Sequence, residues 1–298
     1  MSYSIRLSDR TFSDGIRRIA QLQANKALSE IDDDELSDAE TVHQVRKRCK
    51  KLRGLLRLIR PVFADYKREN TAIRDAARQL SEIRDASSII EAFDRVVASL
   101  GADFDRDAFD KVREKLIAAR DGLDPDETER RLTDMADSLT AFRQRIPDWS
   151  LSADGAEGFE AGLEQVYCDG RKALAAFLKH PEPERFHEWR KNVKYHGYHA
   201  RLLKNIWPAM MQPHATLLSN LGDGLGDHHD LHVFKEHLED GSLDVSRPDR
   251  KRLRALLSAR QVLIERNASA VGRRLYAESP GALSARWSAW WRIWREEA

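Results

Sequence analysis

His43-Gln-Val-Arg46-Lys47-Arg48-Cys49-Lys50-Lys51-Leu52-Arg53-Gly-Leu-Leu-Arg57-Leu-Ile-Arg60 carries eight Lys/Arg and no acid, in a chain that as a whole balances 50 basic against 49 acidic side chains. Wound at about 100° per residue, the stretch separates into two stripes. Val42, Val45, Cys49, Leu52, Leu56 and Ile59 make an apolar face. His43, Arg46, Lys47, Lys50, Arg53 and Arg57 fall at spacings 0, 3, 4, 7, 10 and 14 and make a cationic one. Like charges three and four apart on a helix oppose one another by about 0.2–0.5 kcal/mol per pair. A helix that accumulates several such pairs with no Glu between them is expected to meet an anion there.

The pattern occurs again. His187-Glu-Trp-Arg190-Lys191-Asn-Val-Lys194 repeats His-x-x-Arg-Lys-x-x-Lys 144 residues downstream, with Arg201 and Lys204 at the offsets of Arg57 and Arg60. Trp189 and Val193 take the places of the apolar Val45 and Cys49. A second pair follows at an offset of 145: Leu80-Ser-Glu-Ile-Arg84-Asp85 and Leu225-Gly-Asp-His228-His229-Asp230. Gly15-Ile-Arg17-Arg18 and Gly170-Arg171-Lys172 form a looser third pair. Matched motifs in the same order at half the chain length indicate internal duplication. The turn-rich stretch from Pro147 through Gly155 and Gly158 divides the halves, giving units 1–150 and 151–298.

Helical periodicity dominates throughout, and alternating strand patterns are absent. The reading places helices near 9–32, 37–60, 66–100, 105–121 and 125–146, then 155–179, 183–206, 210–239, 246–277 and 281–296. Ser37-Asp-Ala-Glu40 has the form of a capping box that starts the first basic helix, and Pro183 suits the first position of the second. Pro61 and Pro208 lie just beyond the two basic helices and are expected to end them.

With 298 residues, 41% hydrophobic and 33% charged, the chain suits a helix-rich protein of two ordinary units. No apolar run is long enough to cross a membrane, and the first residues do not form a signal peptide. Cys49 and Cys168 read as reduced core thiols, so a cytoplasmic setting is expected. A formal net charge of +1 argues against general attraction to nucleic acid or membrane. Anion binding must come from local sorting of charge.

Paired His-x-x-Arg-Lys-x-x-Lys helices, each followed by a Leu-x-x-x-(Arg/His)-Asp element, resemble the CHAD family, the histidine-containing α-helical domain. The resemblance spans almost the whole chain. It implies an all-α fold of two antiparallel four-helix bundles related by a pseudo-twofold axis, with the basic helices lining a central groove. It also implies binding of inorganic polyphosphate, in some bacteria at polyphosphate granules, with no cofactor. The residues carried over are His43, Arg46, Lys47, Lys50, Arg53 and Arg57 in the first half and His187, Arg190, Lys191, Lys194 and Arg201 in the second. Arg84, Arg171, Lys172 and His229 join them as candidates. The halves differ: Gly197 stands where the first half has Arg53, and His229 where it has Arg84. The second half is therefore expected to hold fewer permanent charges and to respond more to pH. The Glu-x-Glu-x-Lys motif of the triphosphate-tunnel domains to which family members are often fused does not occur.

Polyphosphate is a flexible polyanion with no bases to stack. A row of helix positions about 5.4 Å apart per turn, carrying Arg for forked hydrogen bonds and Lys for compact charge, matches it. His43 and His187 are read as donors or packing groups that strengthen binding on acidification; Asp85 and Asp230 are read as orienting carboxylates. The plainer alternative is a solvated helix face neutralised by Glu30, Asp32, Asp33, Asp34, Glu35, Asp38 and Glu40.

Two further function classes have some support in the residues. Nine of ten histidines lie in the second half, and His228, His229, Asp230 and His232 include an i,i+4 pair able to chelate a metal, as in a metal-dependent phosphohydrolase. Further ligands would have to come from His196 or His199, and the first-half equivalent, Arg84-Asp85, cannot bind a metal in that way. For single-stranded nucleic acid, Tyr195 and Tyr198 offer stacking, but the first stripe has no interleaved aromatics and no DNA-binding motif occurs. Gly222-Asp-Gly-Leu-Gly226 lies in the wrong context for a phosphate loop. Trp287, Trp290, Trp291 and Trp294, at i, i+3, i+4 and i+7, read as a core stripe that docks the last helix.

Overall fold

The computed structural model describes residues 3–80, 90, 91, 93, 94, 97, 106–122, 124–239 and 246–297. Among these the chain is helical, without strands. The helices are α1 (Phe12–Ile31), α2 (Asp38–Ile59), α3 (Tyr66–Gln79), α4 (Arg106–Asp121), α5 (Pro125–Arg145), α6 (Glu160–Lys179), α7 (Pro183–Leu202), α8 (Pro208–Glu239), α9 (Arg247–Leu275) and α10 (Pro280–Glu296).

Local chemistry sets the helix starts. The Ser37 hydroxyl accepts from the Glu40 N–H and the Glu40 carboxylate accepts from the Ser37 N–H, a complete capping box. The Thr11 and Ser279 hydroxyls cap α1 and α10 by accepting from the Asp14 and Ala282 N–H groups, and Pro183 and Pro280 sit in the first turn, where a missing N–H costs nothing. The ends depart from the sequence reading in several places: the helix expected over 66–100 stops at Gln79, and the one expected from 155 begins at Glu160. α7 stops at Leu202, and a 3₁₀ turn, Lys204–Ile206, carries the chain to Pro208, which begins α8 instead of closing α7.

Helix α1 packs against α2 and α5, and α3 against the same two; α6 packs on α7, α7 on α8, α8 on α9, and α9 returns to α6. Helix α2 also packs on α6 and α7 and so joins the halves. At that crossing a Cβ on Gly162 would lie 1.8 Å from the Leu58 carbonyl oxygen, and one on Gly54 would lie 2.8 Å from the Tyr198 side chain. Only glycine allows the backbones this close. One apolar core runs from Ile5 to Trp291, with Trp189 and Trp287 at 0% and 1% exposure; burying each large side chain contributes about 2–3 kcal/mol. A second cluster joins Phe93 and Val112 to Leu231, Phe234, Leu238, Leu253 and Leu257.

The tryptophans of α10 pack as the i, i+3, i+4, i+7 spacing predicts. Trp287 stacks 5.5 Å from His196, Trp291 meets Phe12 and Phe159, and Trp290 and Trp294 pack against the same core while staying partly exposed. Cys49 is buried and Cys168 half-buried, both as free thiols.

Candidate anion-binding site

All six apolar positions of the first stripe are buried at 0–1% exposure. That fixes the rotation of α2 and turns its cations outward. Burial pushes the Cys49 thiol up to about 12, so it stays protonated and is no nucleophile. Arg46 donates to the Ala77 carbonyl at 2.7 Å and Arg53 to Asn70 Oδ1 at 3.3 Å, which places this face along α3. His43, Lys47 and Lys50 are exposed. Of the acids at 30–40, Glu30 pairs with Arg48 on the α1 side and Glu40 serves the helix cap.

Helix α7 presents its cations on two sides. Arg190, Lys194 and Arg201 run along α8. There the guanidinium of Arg190 lies against Gly226 and the stem of Lys194 against Gly222, where added Cβ atoms would come within 3.0 and 2.9 Å. Lys194 pairs with Asp223 at 2.7 Å and Arg201 donates to Ser219 Oγ at 2.8 Å. The glycines of Gly222-Asp-Gly-Leu-Gly226 thus make room for two long cations on a helix, a role that spacing alone does not disclose. His187 faces His229 with ring centroids 5.1 Å apart. Desolvation holds both below the usual histidine range, and the charge of Arg190 and their neighbours adds to it.

Lys191 lies on the other side of α7, toward α6, with Glu188, Asn192 and Tyr195. These residues and Asp169, Lys172, Ala173 and Ala176 of α6 line a cavity of about 480 Å³. Arg57 reaches into it from α2, its guanidinium 4.2 Å above the Tyr195 ring. Lys191 is paired with Glu188, and Asp169 accepts from Gln165 at 2.9 Å. Lys172 therefore joins the cations of α2 and α7, whereas its neighbour Arg171 points to the Glu278 carbonyl. Arg84 and Asp85 lie outside the described residues.

A related grouping occurs in the first half. Lys51 is held down to about 8 by burial first and then by Arg48, Lys47, Arg201 and Lys26. Positions 51 and 195, and 57 and 201, are each 144 apart. Arg57 over Tyr195 and Arg201 near Lys51 thus stand at equivalent positions, the first a cation–π contact and the second two like charges. Here, however, Tyr3 is seated: it donates to the Lys51 carbonyl at 2.7 Å, lies under the Lys51 ammonium and packs edge-on to Tyr198.

The histidine cluster of α8 disperses. His228 bonds Glu265 at 2.8 Å and lies on Phe186, His229 turns to His187, and His232 approaches Glu236. His196 and His199, the further ligands that a metal would need, are buried elsewhere: His196 bonds His214 at 3.1 Å and His199 bonds the Gly54 carbonyl at 3.0 Å. Among the described residues no three His, Cys, Asp or Glu side chains are grouped to hold a metal ion.

An all-helical chain with two matched cationic helices crossing at its centre defines a narrow class. The sequence model of the CHAD domain matches residues 16–239, and the chain belongs to that family. The crystal structure of the CHAD domain from the plant Ricinus communis superposes with a TM-score of 0.63 over 93% of each chain at 17% identity. PptA from Streptomyces chartreusis superposes with a TM-score of 0.56 over 90% of this chain and 100% of the other, at 11% identity. Both likenesses are of fold. Comparison with curated proteins finds no match. No helix among the described residues is long and apolar enough to cross a membrane.

Proposed function

We propose that this protein binds inorganic polyphosphate through the cationic faces of α2 and α7, as two four-helix units about a pseudo-twofold axis. It binds the polymer as a module and does not hydrolyse it. The observation that carries the reading is the matched placement of cations at the α2–α7 crossing. Arg57 meets Tyr195, and Arg201 comes near Lys51, at positions 144 apart. Around each the like charges accumulate that an isolated helix would avoid.

His43, Arg46, Lys47, Lys50, Arg53 and Arg57 serve on α2; His187, Arg190, Lys191, Lys194 and Arg201 serve on α7. Lys172 on α6 and His229 on α8 extend the surface. Arg supplies forked hydrogen bonds to phosphate oxygens, Lys a mobile charge. The ligand has no groove-specific shape and no bases, so affinity comes from charge and from release of its condensed counterions. The setting that fits is the cytoplasm, at polyphosphate granules where these form.

The test is a titration of labelled long-chain polyphosphate with single-stranded RNA of matched charge as competitor and with analysis for released phosphate. Tight binding that RNA displaces poorly, with no phosphate release, is expected. Equal displacement by RNA would assign the surface to polyanions in general, and phosphate release would make the protein an enzyme.

A further inference from the structure

We infer that the cavity between α6 and α7 is an end-recognition site, which takes the terminal phosphate of a linear oligophosphate or polyphosphate. This rests on the polyphosphate reading and adds which part of the polymer the cavity selects.

The cavity is lined by equivalent rows on two antiparallel helices: Asp169, Lys172, Ala173 and Ala176 on α6, and Glu188, Lys191, Asn192 and Tyr195 on α7, each spaced 0, 3, 4 and 7. The helices are joined by residues 180–182, so the start of one row lies beside the end of the other. Asp169 then falls at the Tyr195 end, where Arg57 enters, and Glu188 falls at the Ala176 end. The two lysines lie between. A carboxylate at each end bars a polyanion from running lengthwise through the groove. Ala173 and Ala176, beside Lys172 on α6, are short and leave depth there, so an anion entering from the open side meets Lys172 and Lys191 with Arg57 beside them.

The end of a polyphosphate differs chemically from its interior. An internal phosphate carries one charge, whereas a terminal one carries a second ionisation with a pKa of about 6, as a phosphomonoester does, and has three free oxygens. Arg57, Lys172 and Lys191 converge there, Lys191 paired with Glu188, and a terminal dianion competes for that pair better than a monoanionic link does. Among the described residues, the first-half counterpart around Lys51 and Arg201 holds the Tyr3 ring, so one end site per chain is expected.

Titration calorimetry of linear tripolyphosphate against cyclic tetrametaphosphate tests this, because the two carry similar charge and only the first has ends. The expected result is at least tenfold tighter binding of the linear anion, with one site per chain. Lys172→Gln combined with Lys191→Gln should erase that preference while the circular dichroism spectrum stays helical. Equal affinities for the two anions in the unaltered protein, or a preference that survives the double substitution, would overturn the inference. Long-chain binding with equal small-anion affinities sinks the end site and leaves the polyphosphate reading. A linear preference without long-chain binding does the reverse.

Discussion

The two halves carry the same cationic motif and put it to different use. On α7, Lys191 faces an open cavity shared with α6, and Arg57 enters from the other half. On α2, the equivalent Lys47 and Lys51 lie beside Lys26 and Arg201, and Tyr3 occupies the space between Lys51 and Tyr198. The Tyr3 segment is fixed there by hydrogen bonds, Ile5 N–H to the Leu202 carbonyl at 2.9 Å and Asn205 to the Ile5 carbonyl at 2.7 Å. A duplicated motif sets where charge can be presented. What packs over it decides whether a ligand can reach it.

The largest effect is expected where the halves touch. Gly162→Ala forces a methyl group into the Leu58 carbonyl and should cost at least about 3 kcal/mol of stability, read as a lowered urea midpoint; an unchanged midpoint would show that α2 and α6 do not meet so closely. Reversing one lysine in each half, Lys47→Glu with Lys191→Glu, should weaken long-chain polyphosphate binding at least about 100-fold through lost phosphate contacts, with the helical spectrum intact. Each single reversal should have a smaller effect. If one of them alone accounted for the whole loss, the halves would not share the ligand.

Less of the site is legible in the sequence than of the fold. The apolar positions Val42, Val45, Cys49, Leu52, Leu56 and Ile59 dictate the rotation of α2, and all are buried. The cap at Ser37 and the proline at 183 dictate where the basic helices begin. The doubled motif itself points to the family. Sequence alone does not separate Arg190 from Lys191: adjacent residues on a helix lie about 100° apart, and only the positions of α6 and α8 show that one faces each. Nor does it show that Gly222 and Gly226 make room for cations, because that role depends on α7 lying alongside. The closing of α7 before Pro208 is also hidden, since a 3₁₀ turn ends the helix without a proline.

The pH response should distinguish the halves. In the second, His187 and His229 are held below the ordinary histidine range by burial and nearby positive charge. A bound polyanion reverses the second cause and raises both. Binding should therefore take up protons and tighten as pH falls below about 6.5, by at most about tenfold per histidine for each tenfold rise in proton concentration, and His187→Gln with His229→Gln should flatten that limb. In the first half Lys51, held down to about 8 by burial and neighbouring cations, lies against the Tyr3 ring and is not offered to the ligand. A pH-independent affinity would remove both histidines from the site.

Buried histidines set a stability limit in the same pH range. His199 and His214 are pushed down to about 3 and about 4 by burial. Their unfolded forms take up protons near 6.5 and their folded forms do not. Stability should be fully present above about 6.5 and decline steadily as pH falls from there toward 4, seen as a falling melting temperature. The smallest effect belongs to the Tyr3 ring: Tyr3→Ala should expose the first-half counterpart and tighten tripolyphosphate binding about threefold, on the scale of one added charge-assisted contact. No gain would mean that the ring does not obstruct that cluster.

The most direct measurement is the salt dependence of long-chain polyphosphate binding by the whole chain. If about six phosphates are neutralised across both helices, the logarithm of the binding constant should fall with the logarithm of salt concentration with a slope of about −4, and Lys47→Glu and Lys191→Glu should each make it shallower. Absence of binding, or a slope near zero that neither substitution alters, would contradict a polyphosphate surface built from both halves.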